Sequence, residues 1–185
     1  MPLNQGTYSW EFGSKASSPW FTVSFDTITD KWIVKMNTGS MDLNAIWWSN
    51  GNNIQDGGSI NLPGADNTLN MNGTGITWDA YDKISPTGLA DKPHNGSSLL
   101  TAGNSYSYSY IKNQGSDLKT FLASANMAAG TGVTLGIRAT SINGSSEAKI
   151  TDNTFTFTPQ RTSDTTSPTV AISIADNALK AGDST

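Results

Sequence analysis

Apolar and polar residues alternate along most of the first 160 positions, and the alternation repeatedly breaks and restarts. Thr7–Phe12, Trp20–Phe25 and Lys31–Met36 place apolar side chains at about every second position, as a strand with one buried face requires. Leu43–Trp48, Ser59–Leu62, Thr68–Met71, Ser105–Ile111, Val133–Thr140 and Asn153–Thr158 read as further short strands. Gly, Asn, Asp and Ser separate the runs, and Asp26 to Asp30 has the composition of a hairpin connection. Only one stretch has helical spacing. Ser116 and Asp117 supply a cap, Leu118, Phe121, Leu122 and Ala125 repeat along one face, and Ala129-Gly130 ends it. The pattern predicts an all-β chain, a β-sandwich of jelly-roll-like type with one short helix near 117–128. No fixed internal period exists, which excludes a solenoid or propeller.

Two of the strands carry unusual stripes. Tyr106, Tyr108 and Tyr110 alternate with Ser105, Ser107 and Ser109, which reads first as a core face against a solvent face and second as a ligand-facing tyrosine row. Thr154, Thr156 and Thr158 alternate with Phe155 and Phe157, an ordinary solvent face of threonines.

After Pro159 the pattern changes. A Ser/Thr/Asp run ends at Pro168, and a new alternation opens with Val170, Ile172 and Ile174. A lone strand cannot bury its apolar face, so the expected organisation is a sandwich over 1–160, a linker over 161–168 and a truncated first strand over 169–185. The chain is expected to be a piece of a longer, multi-module protein. Asp164, Thr165, Thr166, Pro168, Thr169, Val170, Asp176, Leu179, Lys180 and Gly182 stand in the order that opens bacterial immunoglobulin-like repeats. The tail resembles the repeats of very large, type I-secreted (RTX-type) bacterial adhesins. That resemblance implies an extracellular or bacterial cell-surface setting with neighbouring modules on the same chain, and no particular chemistry. Residues 5–160 also resemble a module of large secreted bacterial repeat proteins, through the words around Asp42–Gly51 and Leu69–Tyr81, and no established activity comes with it.

Composition narrows the partners. Eleven Lys+Arg against 15 Asp+Glu give a net charge of −4 and a pI near 4.7, a surface that repels nucleic-acid phosphates. No cysteine is present, so neither disulfides nor thiolate metal sites exist. No apolar run approaches the ~20 residues of a membrane span, so no membrane insertion is expected. The N-terminus lacks the basic and apolar regions of a classical signal peptide, as export through a C-terminal signal elsewhere would allow.

Candidate chemistry concentrates in the middle of the chain. Asp42 and Asn44 stand two apart on a strand, so both are expected on one face, while Trp47 and Trp48 point to opposite faces, one to the core and one toward the loop side. An Asn-, Asp- and Gly-rich loop from Asn50 to Gly58 follows, and Trp78, Asp79, Tyr81 and Asp82 interleave acids with aromatics further on. Hard cations take several oxygen ligands, which makes Asp42, Asn44, Asp79 and Asp82 candidate calcium ligands, with Asp56 or Asp66 as loop donors. Sugars stack on exposed aromatic faces beside amides and carboxylates, which makes Trp47, Trp48, Trp78, Tyr81 and Asn50 candidate carbohydrate contacts. Catalysis has little to build on: one histidine, His94, two glutamates and no nucleophile motif. The expected function is a non-catalytic ligand-binding module, possible partners being a cell-surface or matrix glycan or protein, with calcium as stabiliser. A structural spacer of the adhesin stalk and a glycan-processing domain stand as alternatives. A spacer should bury every Trp, whereas a lectin-like module should expose one beside polar groups.

Overall fold

The computed structural model describes residues 3–50, 71, 73–84, 99–112, 114–124, 132–144, 146–151 and 153–159. They form two antiparallel sheets and one short helix. The first sheet contains β1 (Gly6–Phe12), β2 (Trp20–Asp26), β3 (Lys31–Thr38), β7 (Ser105–Ser109) and β11 (Asn153–Pro159), in the order β11-β1-β2-β3-β7. The second contains β4 (Ser40–Ser49), β5 (Ala80–Lys83), β8 (Gln114–Gly115), β9 (Thr134–Ile142) and β10 (Ser146–Ile150), in the order β10-β9-β4-β5-β8. A short β6 (Leu99–Thr101) pairs with β4 beside β5, and α1 spans Leu118–Ser124.

Alternation builds the first sheet. Tyr8, Trp10, Phe12, Phe21, Val23, Phe25, Trp32, Val34 and Met36 turn inward and are fully buried. Each such side chain contributes roughly 1.5–3 kcal/mol on leaving water. Phe12 stacks on Phe21 at 4.8 Å and 7°. The tyrosines of β7 pack partly buried against this core, with Tyr108 opposite Trp32 and Tyr106 opposite Val34, so the row is a core face. The outward positions fall into rows across five strands, such as Thr156, Ser9, Ser24, Ile33 and Ser107. The outward threonines of β11 and serines of β7 are exposed.

The second sheet is built differently. Every position of β4 from Met41 to Ser49 is buried, so this strand is covered on both faces. The inner face meets the first sheet, and the outer face is covered by the segment holding Met71 and Trp78. A Cβ on Gly136, which pairs with Trp47, would collide with the Trp78 ring and come within 2.9 Å of the Met71 methyl. Gly136 leaves room for the benzo edge of the Trp78 indole, which lies where a side chain would begin. Indole N–H groups lock the layers together. Trp10 Nε1 donates to Val133 O at 2.8 Å, Trp48 Nε1 to Ser116 O at 3.1 Å and Trp32 Nε1 to Asp82 Oδ2 at 2.8 Å.

The expected helix near 117–128 is present over Leu118–Ser124, and positions 125–128 lie outside the described residues. Asp117 caps it, its Oδ1 accepting from the N–H of Lys119 and Thr120, and Leu118, Phe121 and Leu122 are buried. The hairpin at 26–30 forms as expected: Asp26 Oδ1 takes the N–H groups of Ile28 and Thr29. The expected strand at Ser59–Leu62, most of that at Thr68–Met71, and the whole tail from 160 onward lie outside the described residues. Among the described residues no helix is long and apolar enough to cross a membrane.

Candidate functional site

The aromatic residues singled out from the sequence are part of the interior. Trp47, Trp48, Trp78 and Tyr81 are each at most 9% exposed. Trp47 and Tyr81 face each other across the β4–β5 ladder and stack at 4.5 Å and 22°. Trp78 meets Trp47 edge-on at 6.3 Å, its indole donating to Thr74 Oγ1. Trp48 leaves the strand on the other face, against Trp32 and Tyr110. The pair thus divides between the two faces as parity predicts, with Trp47 on the side covered by the Met71–Trp78 segment. Asn50 is half-buried, and its backbone N–H donates to Asp79 Oδ2 at 2.9 Å. The five residues do not converge on one open surface.

The acidic and amide residues are also interior. Asp42, Asn44, Asp79 and Asp82 are all at most 2% exposed. The expectation that Asp42 and Asn44 share a face is corrected by a β-bulge. Asp42 lies opposite Thr140 and Leu43 opposite Ala139, but Ala45 rather than Asn44 lies opposite Arg138. Asn44 is the inserted residue, and an insertion shifts the phase of the alternation, so spacing along the chain no longer sets a common face. Asp79 Oδ2 accepts from the Asn50 N–H, whereas Asp82 Oδ2 accepts from Trp32 Nε1 and from the Ile111 N–H at 3.2 Å. Asp42 Oδ2 takes only a long bond of 3.5 Å from Thr140, and Asp42 Oδ1 and both amide atoms of Asn44 have no hydrogen-bond partner. Among the described residues no three His, Cys, Asp or Glu side chains come together as a metal cage. The four proposed calcium ligands therefore do not form one site.

Burial and charge raise the proton affinity of the interior tyrosines. Tyr108 is pushed well above the ordinary tyrosine value by burial first, then by Tyr106 and the Asp42 carboxylate. Burial likewise dominates at Tyr110, where the Leu118 N–H bonded to its hydroxyl opposes the rise and Asp117, Asp82 and Asp30 add to it.

One open polar site was missed in the sequence. Glu11, Gly13, Ser14, Ser17, Asn153 and Thr154 line a recess of about 320 Å³ at one end of the first sheet. The half-buried Trp20 adjoins it, its Nε1 donating to Glu11 Oε1 at 2.6 Å. Strand pairing assembles the site, for Glu11 stands opposite both Thr154 and Thr22. Comparison with protein-family models, curated proteins and solved structures returned no match. Fold and geometry define, among the described residues, an antiparallel two-sheet sandwich with an internal polar network and a polar recess on its open sheet.

Proposed function

We propose that this chain is a non-catalytic module of a large secreted or surface-attached bacterial adhesin, serving first as a structural unit of its stalk. The extracellular, bacterial setting rests on the adhesin-like order of residues in the tail. The structural role rests on one observation: the aromatic and acidic residues that looked like a binding apparatus are buried, Trp48 and Asp82 between the two sheets and Trp47, Trp78 and Tyr81 on the covered outer face of the second. Five of the six tryptophans are buried. The buried acids with defined partners, Asp79 and Asp82, accept from backbone and indole N–H groups instead of facing a cleft.

Neighbouring modules of the same chain are the first partners in this reading, with nucleic acid and membrane insertion outside it. Calcium stays in the proposal as a stabiliser of the chain, with no ligand set assigned. Melting the protein with calcium and then with a chelator tests it, and identical midpoints would remove calcium. For the structural role, Trp47→Leu and Tyr81→Leu should each lower the melting temperature, because both break the stacked pair. Unchanged melting in both would overturn it. Ligand binding is the second reading, favoured by the recess beside Trp20.

A further inference from the structure

We propose that the recess at Glu11 and Trp20 binds a neutral saccharide, a role beyond that of a stalk unit. The wall is built before any ligand arrives. Gly13 adopts a left-handed backbone (φ +76°), and a Cβ there would lie 2.5 Å from Ser17 Oγ and 2.7 Å from Pro19 O. Ser17 Oγ accepts from the Ser14 N–H at 2.7 Å and donates to Ser14 O at 2.9 Å, and Thr38 Oγ1 ties Ser17 O to the end of β3 at 2.8 Å. Asn153 is fixed as firmly, because its amide nitrogen donates to Leu135 O and Thr151 O. A wall held this way loses little conformational freedom on binding.

The lining selects the ligand. A hard cation would need several carboxylates or carbonyls, and among the described residues lining the recess Glu11 is the only carboxylate. That same charge disfavours anions. The remaining groups are hydroxyls and an amide, which suit an uncharged molecule rich in hydroxyls. Glu11 uses Oε1 on the Trp20 indole, and its Oε2 remains to accept from a sugar hydroxyl. Ser14 and Thr154 add side-chain hydroxyls that can donate or accept, and the Asn153 oxygen adds an acceptor. The bond from Trp20 Nε1 orients the half-buried indole beside these groups, where it offers an amphipathic surface to the C–H side of a pyranose ring. Thr156 and Thr158 continue the exposed hydroxyls of Thr154 along β11, in line with further sugar units of an oligosaccharide.

The test uses the full chain on a glycan array of neutral and sialylated oligosaccharides, with saturation-transfer NMR on methyl glucoside, galactoside and mannoside to catch weak binding. Neutral sugars should bind and sialylated ones should not. Trp20→Ala, Glu11→Gln and Thr154→Val should each weaken binding about tenfold, and Glu11→Gln should keep the wild-type melting curve. Should Trp20→Ala misfold, the other two substitutions carry the test. Absence of binding by the folded chain, preference for sialylated glycans, or binding unchanged in Glu11→Gln and Thr154→Val would overturn the proposal. None of these outcomes touches the structural role, which rests on buried residues elsewhere.

Discussion

Removing the Asp82 carboxylate tests whether this residue braces the sandwich or serves a ligand. Trp32 belongs to the first sheet and Asp82 to the second, and their 2.8 Å bond crosses the interior between a fully buried indole and a carboxylate 1% exposed. In Asp82→Ala the Trp32 N–H keeps its burial and loses its acceptor, which costs about 1–3 kcal/mol. Ile111 is 67% exposed, so its N–H can turn to water and adds little. The lost side-chain volume adds to the cost, whereas relief of a buried carboxylate's desolvation acts against it. The net expectation is a loss of roughly 2–3 kcal/mol, about 4–12 °C in melting temperature for a chain of this size. Asp82→Asn retains an oxygen acceptor, loses the charge assistance and should cost roughly 1 kcal/mol.

Urea unfolding followed by tryptophan fluorescence measures these differences, and a double-mutant cycle with Trp32→Phe isolates the bond. Since Phe has no N–H to leave unpaired, Asp82→Ala should be milder in the Trp32→Phe background, with a coupling of about 1–2 kcal/mol. Strict additivity, or an Asp82→Ala variant as stable as wild type, would refute the reasoning. A ligand role makes the opposite prediction: Asp82→Asn would abolish any calcium-dependent rise in melting temperature while leaving the metal-free protein unchanged.

Gly136→Ala should destabilise the fold by about 1–3 kcal/mol through overpacking against Trp78, measured by the same unfolding curves. Adding Trp78→Leu should return part of that loss, and a neutral Gly136→Ala would show that Trp78 does not cover the strand. Tyr108 and Tyr110 have folded pKa values above the ordinary 10.0. Their contribution is therefore full below pH ~10 and is lost as pH rises through the higher folded values. Melting temperature should accordingly fall on the alkaline side of pH ~10, and Tyr108→Phe should flatten that fall; a profile as steep as wild type would count against it. Lys119→Ala removes the 2.6 Å ion pair with Asp30, whose side chains are 34% and 46% exposed, and should cost less than about 1 kcal/mol.

Legibility in this sequence followed solvent exposure. β1, β2, β3, β7 and β11 belong to a sheet with one wet face, so water writes every second residue as polar and the strands can be read directly. β4 was placed but its surroundings were not, because a strand covered on both faces has no polar parity to read. β5, β6, β8 and β10 escaped notice because two to five residues carry too little period to stand out from a turn. The bulge at Asn44 was illegible for a different reason. A phase shift is a relation between β4 and β9, and nothing in Asp42-Leu43-Asn44 alone records which residue lacks a partner.

The same distinction explains why the aromatic segment was read as a binding surface and the recess was overlooked. Trp47-Trp48 and Trp78 to Tyr81 are conspicuous along the chain, yet a sandwich with few large aliphatic residues must fill its interior with rings. Density of aromatics is then what packing requires, and it carries little information about ligands. Glu11 and Thr154 are inconspicuous in sequence and lie far apart along it. They become a site only because β1 pairs with β11, with Glu11 opposite Thr154 and Phe12 opposite Asn153. The usable signal was a mismatch in the first strands: Glu11 is one of two glutamates in the chain, and Trp20 sits out of phase with the apolar positions of β2. Alternation within β2 turns that indole outward, on the face of Thr22 and opposite to Phe21, where it meets Glu11. An aromatic ring that breaks the phase of its own strand is better evidence for a surface role than several rings that keep it.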